Sequence, residues 1–152
     1  MSSIINVSKA ILVINGPNLN LTGFRKPEIY GTTTLADINA DIAAHAKGLG
    51  FACEFYQSNH EGEIIDRLHA ARGAVFGVII NAGAYSHYSY AIRDAIEAIE
   101  LPVVEVHLSN IFARGQFRAH SVLSEVCRGH ISGFGADSYL LAVNALALLG
   151  GK

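Results

Sequence analysis

Short apolar runs alternate along the chain with segments in which apolar residues recur every three or four positions. The runs predict buried strands, and the segments between them predict helices that bury one face. The predicted strands are residues 10–14, 51–57, 75–81, 103–108 and 130–133, and the predicted helices are residues 35–49, 61–72, 87–100 and 136–149. Strands separated by helices in this way favour an α/β fold, with a parallel sheet and helices on both of its faces.

Local signals at the ends of the predicted elements support this division. Thr34 and Asp37 resemble a capping box at the start of the first helix, and Gly48 and Gly50 fall where that helix should end. The third strand is almost wholly apolar, which is typical of a strand that is covered on both faces.

Polar or small residues follow four of the predicted strands, at the carboxyl end of each. Ligands of open α/β sheets bind at this edge, near the point where the strand order reverses. We therefore expect a functional site built from residues that follow different strands. The candidates are Asn15, Asn18, Ser58, Asn59, His60, Asn81, Ala82, Gly83, His107, Ser109 and Asn110.

Residues 15–34 form a long segment rich in Gly, Pro and Asn after the first strand. Such residues favour turns and disfavour helix, and a long loop in a compact domain is usually a functional lid or a disordered segment. Arg25 and Tyr30 lie in this loop. A guanidinium beside a phenol favours the phenolate, which could act as a base. The alternative, a solvated arginine and a packed tyrosine, stays open from this segment alone.

Glu105 and His107 share one face of the fourth strand, because side chains alternate along a strand. A carboxylate beside an imidazole can orient it and favour its protonated form, so that it can act as an acid near neutral pH. The alternative is a surface ion pair on an edge strand. The apolar neighbours Val104 and Val106 argue against full exposure, and charged residues are rarely buried without a partner or a task.

Residues 81–87, NAGAYSH, combine small side chains with the start of the third predicted helix. Small residues let a ligand approach the backbone, and helix-start amides can hold an anion or a developing oxyanion. His87 could bind a ligand hydroxyl or could equally be a hydrogen-bonding residue at the helix start. Arg114 and Arg118 could clamp a carboxylate or hydroxyls, or they could be solvated loop residues.

The composition suits one domain over residues 1–152, with residues 1–9 as an N-terminal extension and residues 15–34 as a lid loop. A hydrophobic fraction of 51% is enough for a sizeable core and argues against disorder. A net charge of -2 gives no reason to expect nucleic acid or an anionic membrane as a partner. The two cysteines lie far apart, and neither a signal peptide nor a membrane-length apolar stretch is present. We therefore expect a cytoplasmic protein.

The seven histidines raise the question of a metal site. No pair of them has the close helical spacing of a zinc protease, so no metal is expected. The chain also lacks the three-glycine dinucleotide fingerprint, the lysine motif of phosphate loops and the G-x-S-x-G elbow of hydrolases.

Six segments together form a pattern that is far more specific than any one motif. They are INGPNLNLTGFRKPEIYG (residues 14–31), FYQSNHEGEIID (55–66), IINAGAYSHYSYAIRDA (79–95), PVVEVHLSN (102–110), FRAHS (117–121) and GHISGFGADSYLLAV (129–143). In this order they resemble the type II 3-dehydroquinate dehydratases. The resemblance runs from about residue 11 to the last predicted helix. It implies a flavodoxin-like domain with a doubly wound, five-stranded parallel sheet.

The resemblance also implies a reaction: dehydration of 3-dehydroquinate to 3-dehydroshikimate by anti elimination through an enolate, without a cofactor or metal. This step serves the shikimate pathway or quinate catabolism. By the same resemblance, Tyr30 would remove the C2 proton, and Arg25 would favour its phenolate and close over the substrate. Asn18 would hold the water that stabilises the enolate. His107, paired with Glu105, would protonate the departing C1 hydroxyl.

The remaining candidate residues would bind the substrate. The resemblance implies that Asn81, His87 and Arg118 contact its hydroxyls. It also implies that the backbone of Leu108 and the region of Ser109 hold its carboxylate.

Members of this family assemble as dodecamers, tetramers of trimers, which implies a homo-oligomer here. Asp94 would then reach into a neighbouring subunit's site. The chain departs from the usual pattern at Lys26, where the family often has Glu, at Gly115 and Gln116, which replace Glu-Pro or Glu-Glu, and at Ala119, which replaces His. These departures leave the candidate catalytic residues intact and bear on lid closure instead.

Two functions of other kinds remain as alternatives. A flavodoxin-like domain could be a non-catalytic module that binds a nucleotide or flavin, since fold alone does not decide function. A metal-dependent hydrolase is the second alternative.

Overall fold

The computed structural model describes residues 9–150, apart from the side chains of Ile29 and Tyr30. Its strands are β1 (Ala10–Asn15), β2 (Ala52–Gln57), β3 (Gly77–Asn81), β4 (Val103–His107) and β5 (Gly129–Ser132). They form one sheet in the order β2-β1-β3-β4-β5, and every neighbouring pair is parallel. This is the strand order of flavodoxin-like domains. The predicted fold class is therefore confirmed.

Helices cover the sheet on both faces. They are α2 (Leu35–Gly48), α3 (Glu61–Ala71), α4 (Tyr90–Ile99) and α5 (Asp137–Gly150), whereas the one-turn helix α1 (Pro27–Tyr30) lies in the segment after β1. Leu12 and Ile14 of β1 pack with α3 and α4 on one face, whereas Ile11 and Val13 pack with α2 and α5 on the other. Successive side chains of a strand point to opposite faces, so one strand contributes to both cores.

The first long helix begins and ends where the sequence signals predict. The Thr34 hydroxyl accepts a hydrogen bond from the Asp37 amide at 3.2 Å, and the Asp37 carboxylate accepts one from the Thr34 amide at 3.0 Å. α2 ends at Gly48, and Gly50 adopts a φ of 86°, which glycine tolerates without steric cost. The predicted capping box is confirmed.

The predicted helix 87–100 begins three residues later than expected. Residues 83–87 form a short 3₁₀ turn, and α4 begins at Tyr90. The side chain of Ser89 caps α4 by accepting a hydrogen bond from the Ile92 amide at 3.0 Å. Serine is a preferred capping residue because its oxygen satisfies an amide that lacks a partner in the helix. The other predicted boundaries lie within two residues of the observed ones.

The segment from residue 15 to residue 34 is less irregular than its composition predicts. It contains a 3₁₀ turn at Leu19–Leu21 and the one-turn helix α1. Pro27 occupies the first turn of α1, where a missing amide hydrogen costs nothing and a fixed φ favours the helix. The described lid segment is therefore partly helical.

The strand order reverses beside β1, because the chain continues from β1 to β2 on one side and returns to β3 on the other. A crevice at the carboxyl ends of β1 and β3 follows from this connectivity. Its two walls are close: a side chain at Gly16 would place its Cβ 2.6 Å from the Ala82 carbonyl oxygen. None of the helices within residues 9–150 is long and apolar enough to cross a membrane.

Candidate active site

A cavity of about 190 Å³ opens at this crevice, beneath the segment that follows β1. It brings together residues from the ends of β1, β3 and β4 and from the loop after β4. The predicted site residues that line it are Asn18, Arg25, Asn81, Gly83, His87, His107, Leu108, Ser109, Arg114 and Arg118. Among the described residues that line it there is no aspartate or glutamate, so the cavity has a positive character that suits an anionic ligand.

The candidates Asn15, Ala82 and Asn110 do not line the cavity. Three residues to which the family resemblance assigns a role are not among the described lining residues either. The side chain of Tyr30 lies outside the described part of the chain. Glu105 lies behind His107 and is fully buried. Asp94 is exposed on α4 and does not line the cavity of its own chain.

Glu105 and His107 form a buried pair on a central strand. The distance from His107 Nε2 to Glu105 Oε2 is 2.6 Å, and His107 is only 5% exposed. β4 lies between β3 and β5, so the alternative of a surface pair on an edge strand is wrong. The donated hydrogen bond fixes the orientation of the imidazole, whose ring borders the cavity.

Two serines support the Glu105 carboxylate. Ser121 Oγ donates to it at 2.8 Å and Ser124 Oγ at 2.6 Å. Burial by itself raises the pKa of Glu105, but hydrogen bonds from His107, His130 and Ser124 outweigh this effect and hold the pKa well below its ordinary value. Glu105 is therefore an anion with several donors around it.

His87 lies at the end of the 3₁₀ turn, and its ring is close to that of His107. The ring centroids are 6.4 Å apart and the planes are 15° from parallel. His87 Nδ1 donates to the His120 carbonyl at 2.8 Å, which leaves Nε2 for a ligand. Because Ser89 caps the following helix, the alternative role of His87 at a helix start is wrong.

The Asn81 side chain is held by Gly83 and by Tyr139, and the sequence analysis did not select Tyr139. Its Nδ2 donates to the Tyr139 hydroxyl at 3.0 Å, and its Oδ1 accepts from the Gly83 amide at 3.2 Å. The Tyr139 hydroxyl in turn donates to Asn15 Oδ1 at 2.5 Å. Burial raises the pKa of Tyr139 further above its ordinary value, although the hydrogen bond from Asn81 opposes this. The hydroxyl therefore keeps its proton.

Arginines from two segments surround the cavity. Arg25 reaches it from the lid segment, and Arg114 and Arg118 reach it from the loop after β4. Arg114 Nη1 donates to Ser109 Oγ at 3.3 Å, and the Arg118 guanidinium lies 4.8 Å from the centre of the Phe117 ring. Arg114 is exposed and Arg118 is half-buried, so the alternative of a solvated loop arginine stays open for Arg114 and is less favoured for Arg118.

Residues at the end of β2 support the site rather than line it. Asn59 Oδ1 accepts a hydrogen bond from the Asn18 amide at 3.0 Å, which holds Asn18 at its φ of 69°. Ser58 and His60, which were also expected at the site, do not border the cavity. β2 lies on the far side of β1 from β3 and β4, so the expectation of direct contact was wrong for these residues.

One cluster has the composition of a metal site. Glu105, His107 and His130 each offer a donor atom within 4.8 Å of the others. These atoms already take part in polar contacts, since His107 contacts Glu105 at 2.6 Å, and His130 Nδ1 lies 2.9 Å from Ser124 Oγ and 3.5 Å from Glu105 Oε1. The expected absence of a metal remains a prediction that metal analysis can test.

Comparisons with known proteins agree with one another. The family model for dehydroquinase class II matches residues 9–147. The 3-dehydroquinate dehydratase of Ruegeria pomeroyi is 56% identical over 138 residues, which is 91% of this chain and 93% of that protein. The catabolic 3-dehydroquinase of Aspergillus oryzae is 54% identical over 142 residues, 93% of each chain. The crystal structure of the type II dehydroquinase from Propionibacterium acnes superimposes with a TM-score of 0.88 at 44% identity, covering 93% of this chain and 98% of that one.

Proposed function

We propose that this chain, which belongs to the class II dehydroquinase family, dehydrates 3-dehydroquinate to 3-dehydroshikimate. Relatives that cover nearly its whole length carry this activity in their names, in both general and catabolic forms. The observation in the chain that best supports the proposal is the buried Glu105–His107 pair at the wall of an arginine-lined cavity. Family membership favours this reaction over a flavin-binding module or a metal-dependent hydrolase.

The reaction removes a proton from C2, next to a ketone, and a hydroxyl from C1. The electrons of the C–H bond form an enolate, and their return expels the C1 oxygen as water once that oxygen receives a proton. The chemistry therefore needs a base, a group that stabilises the enolate oxygen and an acid for the leaving hydroxyl. Different segments of the chain supply a candidate for each task.

The proposed base is Tyr30, acting as a phenolate beside Arg25. A nearby guanidinium stabilises a phenolate by its opposite charge. Arg25 borders the cavity from the lid segment, which is where a residue that closes over the substrate must lie. Asn18 also borders the cavity and would hold the water that stabilises the enolate oxygen.

His107 is the proposed acid. Its Nε2 donates to the Glu105 anion at 2.6 Å, and a buried anion stabilises the imidazolium that must deliver a proton. Its ring borders the cavity. The proton would pass to the C1 hydroxyl, after which solvent would restore it.

The substrate would be bound mainly by groups that are already fixed before it arrives. Asn81, His87 and Arg118 would contact its hydroxyls, and the Leu108 backbone with Ser109 would hold its carboxylate. Asn81 is held by hydrogen bonds on both sides of its amide. Such preorganisation lowers the cost of ordering side chains during binding.

The proposal extends to the assembly. We infer a cytoplasmic homo-oligomer, a dodecamer built as a tetramer of trimers, in which Asp94 completes a neighbouring subunit's site. The exposure of Asp94 on α4, away from the cavity of its own chain, supports this role. We also propose that the reaction needs no cofactor or metal.

The test is to mix the purified protein with 3-dehydroquinate in buffer containing a chelator and to follow the ultraviolet absorbance of the conjugated enone. Rapid growth of the band, with full activity in the chelator, is the expected result. His69→Ala, a change at an exposed position of α3, should match the unmodified protein. A folded protein that gives no enone band at any substrate concentration would refute the proposed reaction.

A further inference from the structure

Glu105 lies between two imidazole rings, and only one of them has a part in the proposed reaction. The second belongs to His130, which is paired directly with Glu105 in the register of β4 and β5. The ring centroids of His107 and His130 are 5.4 Å apart. The His130 side chain is only 17% exposed and packs against Phe112. A polar ring is thus largely withdrawn from solvent at the back of the site.

The hydrogen bonds around Ser124 assign the proton on His130. Ser124 Oγ lies 2.6 Å from Glu105 Oε1 and 2.9 Å from His130 Nδ1. An ionised carboxylate can only accept, so the single hydroxyl proton of Ser124 points to Glu105. His130 must therefore donate from Nδ1 to the hydroxyl oxygen. His130 Nδ1 is also 3.5 Å from Glu105 Oε1, which is longer than either link through Ser124. The shorter path is therefore a directed chain from His130 through Ser124 to Glu105.

The second ring nitrogen of His130 makes no comparable contact. Its Nε2 is buried and has no hydrogen-bond partner among the described residues. A proton relay needs a partner on each ring nitrogen, so this ring is not built to pass protons through. Its one polar contribution is the hydrogen bond that it donates toward the carboxylate.

The two oxygens of Glu105 share Ser121, whose Oγ lies 2.9 Å from Oε1 and 2.8 Å from Oε2, but their other partners differ. Oε1 accepts from Ser124 at 2.6 Å, and Oε2 accepts from His107 at 2.6 Å. We propose that His130 is a positioning residue that, through Ser124, holds Glu105 in the orientation that presents Oε2 to His107. The kinetic part of this inference rests on the proposed dehydratase function.

The expected size of the effect is that of losing one hydrogen bond in a chain that ends on a charged group. A hydroxyl that accepts a hydrogen bond becomes a stronger donor, and an ordered carboxylate keeps the imidazole aligned. Loss of one such support should lower kcat about tenfold, and KM should stay within about twofold because His130 does not border the substrate cavity.

Two substitutions at His130 distinguish the effect of its hydrogen-bond donor from the effect of its side-chain volume. Asparagine can place an amide nitrogen near the position of Nδ1, whereas leucine fills a similar volume without a donor. His130→Leu should lose about tenfold in kcat, and His130→Asn should stay within about threefold of the unmodified protein. His69→Leu and His69→Asn, at an exposed position of α3, are the matched controls, and thermal unfolding should show that all four variants fold.

Ser124→Ala is a second variant that tests the positioning role of His130 if His130→Leu folds poorly. Ser124→Ala should reproduce the loss in kcat, and adding a His130 substitution should cost little more because both act through one chain of hydrogen bonds. Unchanged kcat in both single variants would overturn the inference. Equal losses in His130→Leu and His130→Asn would also overturn it, because the donor would then be irrelevant.

Nuclear magnetic resonance of histidine labelled with ¹⁵N tests the geometry without relying on turnover. We expect the proton of His130 on Nδ1, and Ser124→Ala should shift the ring signals of both His130 and His107. A proton on Nε2 of His130 instead would overturn the assignment. If the expected spectra were seen in a protein that does not dehydrate 3-dehydroquinate, the proposed function would fail while the hydrogen-bond chain would stand.

Discussion

The hydroxyl of Tyr139 accepts a hydrogen bond from the side-chain amide of Asn81 at 3.0 Å, which joins the last helix to the carboxyl end of β3. The same hydroxyl donates to Asn15 at the end of β1. One phenol on α5 therefore ties together both strands that flank the crevice. Both amides are almost fully buried, at 1% exposure for Asn15 and 3% for Asn81.

Tyr139→Phe keeps the ring and removes this link. Two buried amide groups would lose a partner, which should lower the free energy of unfolding by about 1–3 kcal/mol. KM should rise severalfold, because Asn81 is proposed to contact the substrate. Denaturant titration and steady-state kinetics measure the two effects. Tyr90→Phe, at an exposed position, should change neither, and an unaltered stability of Tyr139→Phe would contradict the role of the hydroxyl.

His107→Ala should lower kcat by about 10²–10⁴-fold, the usual contribution of a positioned acid. Glu105→Gln should also lower it strongly, since an amide cannot stabilise the imidazolium as an anion does. Circular dichroism should show that both variants fold. Should either variant keep most of its turnover, the proposed acid would be assigned to the wrong residue.

Arg25→Ala should reduce kcat much more than substrate binding, because the guanidinium is proposed to favour the Tyr30 phenolate. Tyr30→Phe should nearly abolish turnover. The neighbouring Lys26→Ala is the matched control for loss of a positive charge and should stay within about threefold of the unmodified protein. For Arg25→Ala, measurement of kcat against pH gives the effect on turnover, and inhibitor binding gives the effect on ligand affinity. An Arg25→Ala profile identical to that of the unmodified protein would count against the proposed interaction.

Glu105 should also make stability depend on pH. Its pKa is below the ordinary value of 4.5 in the folded protein, so the unfolded chain binds this proton first. The stability that Glu105 contributes is therefore present above about pH 4.5 and is lost as the pH falls toward the lower folded pKa. Denaturant titrations between pH 7 and pH 3 should show a smaller loss for Glu105→Gln than for the unmodified protein. Parallel losses would show that the carboxylate contributes nothing to this dependence.

The two free thiols should react slowly. Burial raises the pKa of Cys53 to about 11, and burial together with the Glu105 charge raises the pKa of Cys127 to about 12, from an ordinary value of 9.0. At pH 8 the thiolate fraction of Cys53 is then about a hundredfold lower than that of a free thiol. Alkylation should be slow in native protein and fast in denaturant. Native rates equal to those of glutathione would contradict the burial of these groups.

The hydrophobic pattern predicted the strands and helices because buried periodicity is a local property of the sequence. It also predicted that Asn81 and His107 lie at one site, because both directly end strands beside the crevice. Ser58 and His60 show the limit of this reasoning. Periodicity does not reveal strand order, and β2 lies on the far side of β1. The 3₁₀ turn before α4 was missed because glycine and serine there override the apolar spacing.

Ser124, His130 and Tyr139 were not selected from the sequence for a different reason. Each acts through contacts that depend on how distant segments align, such as the pairing of His130 with Glu105 across two strands. Their own neighbourhoods in the sequence resemble ordinary loop, strand and helix. Only the register of β5 and the docking of α5 give these residues a part in the site.

The close approach of Gly16 to the Ala82 carbonyl constrains how this enzyme can evolve. No side chain can be added at position 16 without pushing the backbone at Gly16 away from the backbone at Ala82. Single substitutions at the bottom of the crevice are therefore not tolerated at this position. The segment before Arg25 is similarly constrained, because a Cβ at Gly23 would lie 2.8 Å from the Thr32 carbonyl oxygen, whereas the loop around Arg114 has open space at Gly115. Adaptation to new substrates, or resistance to inhibitors, should therefore accumulate in the loop around Arg114 while position 16 stays unchanged.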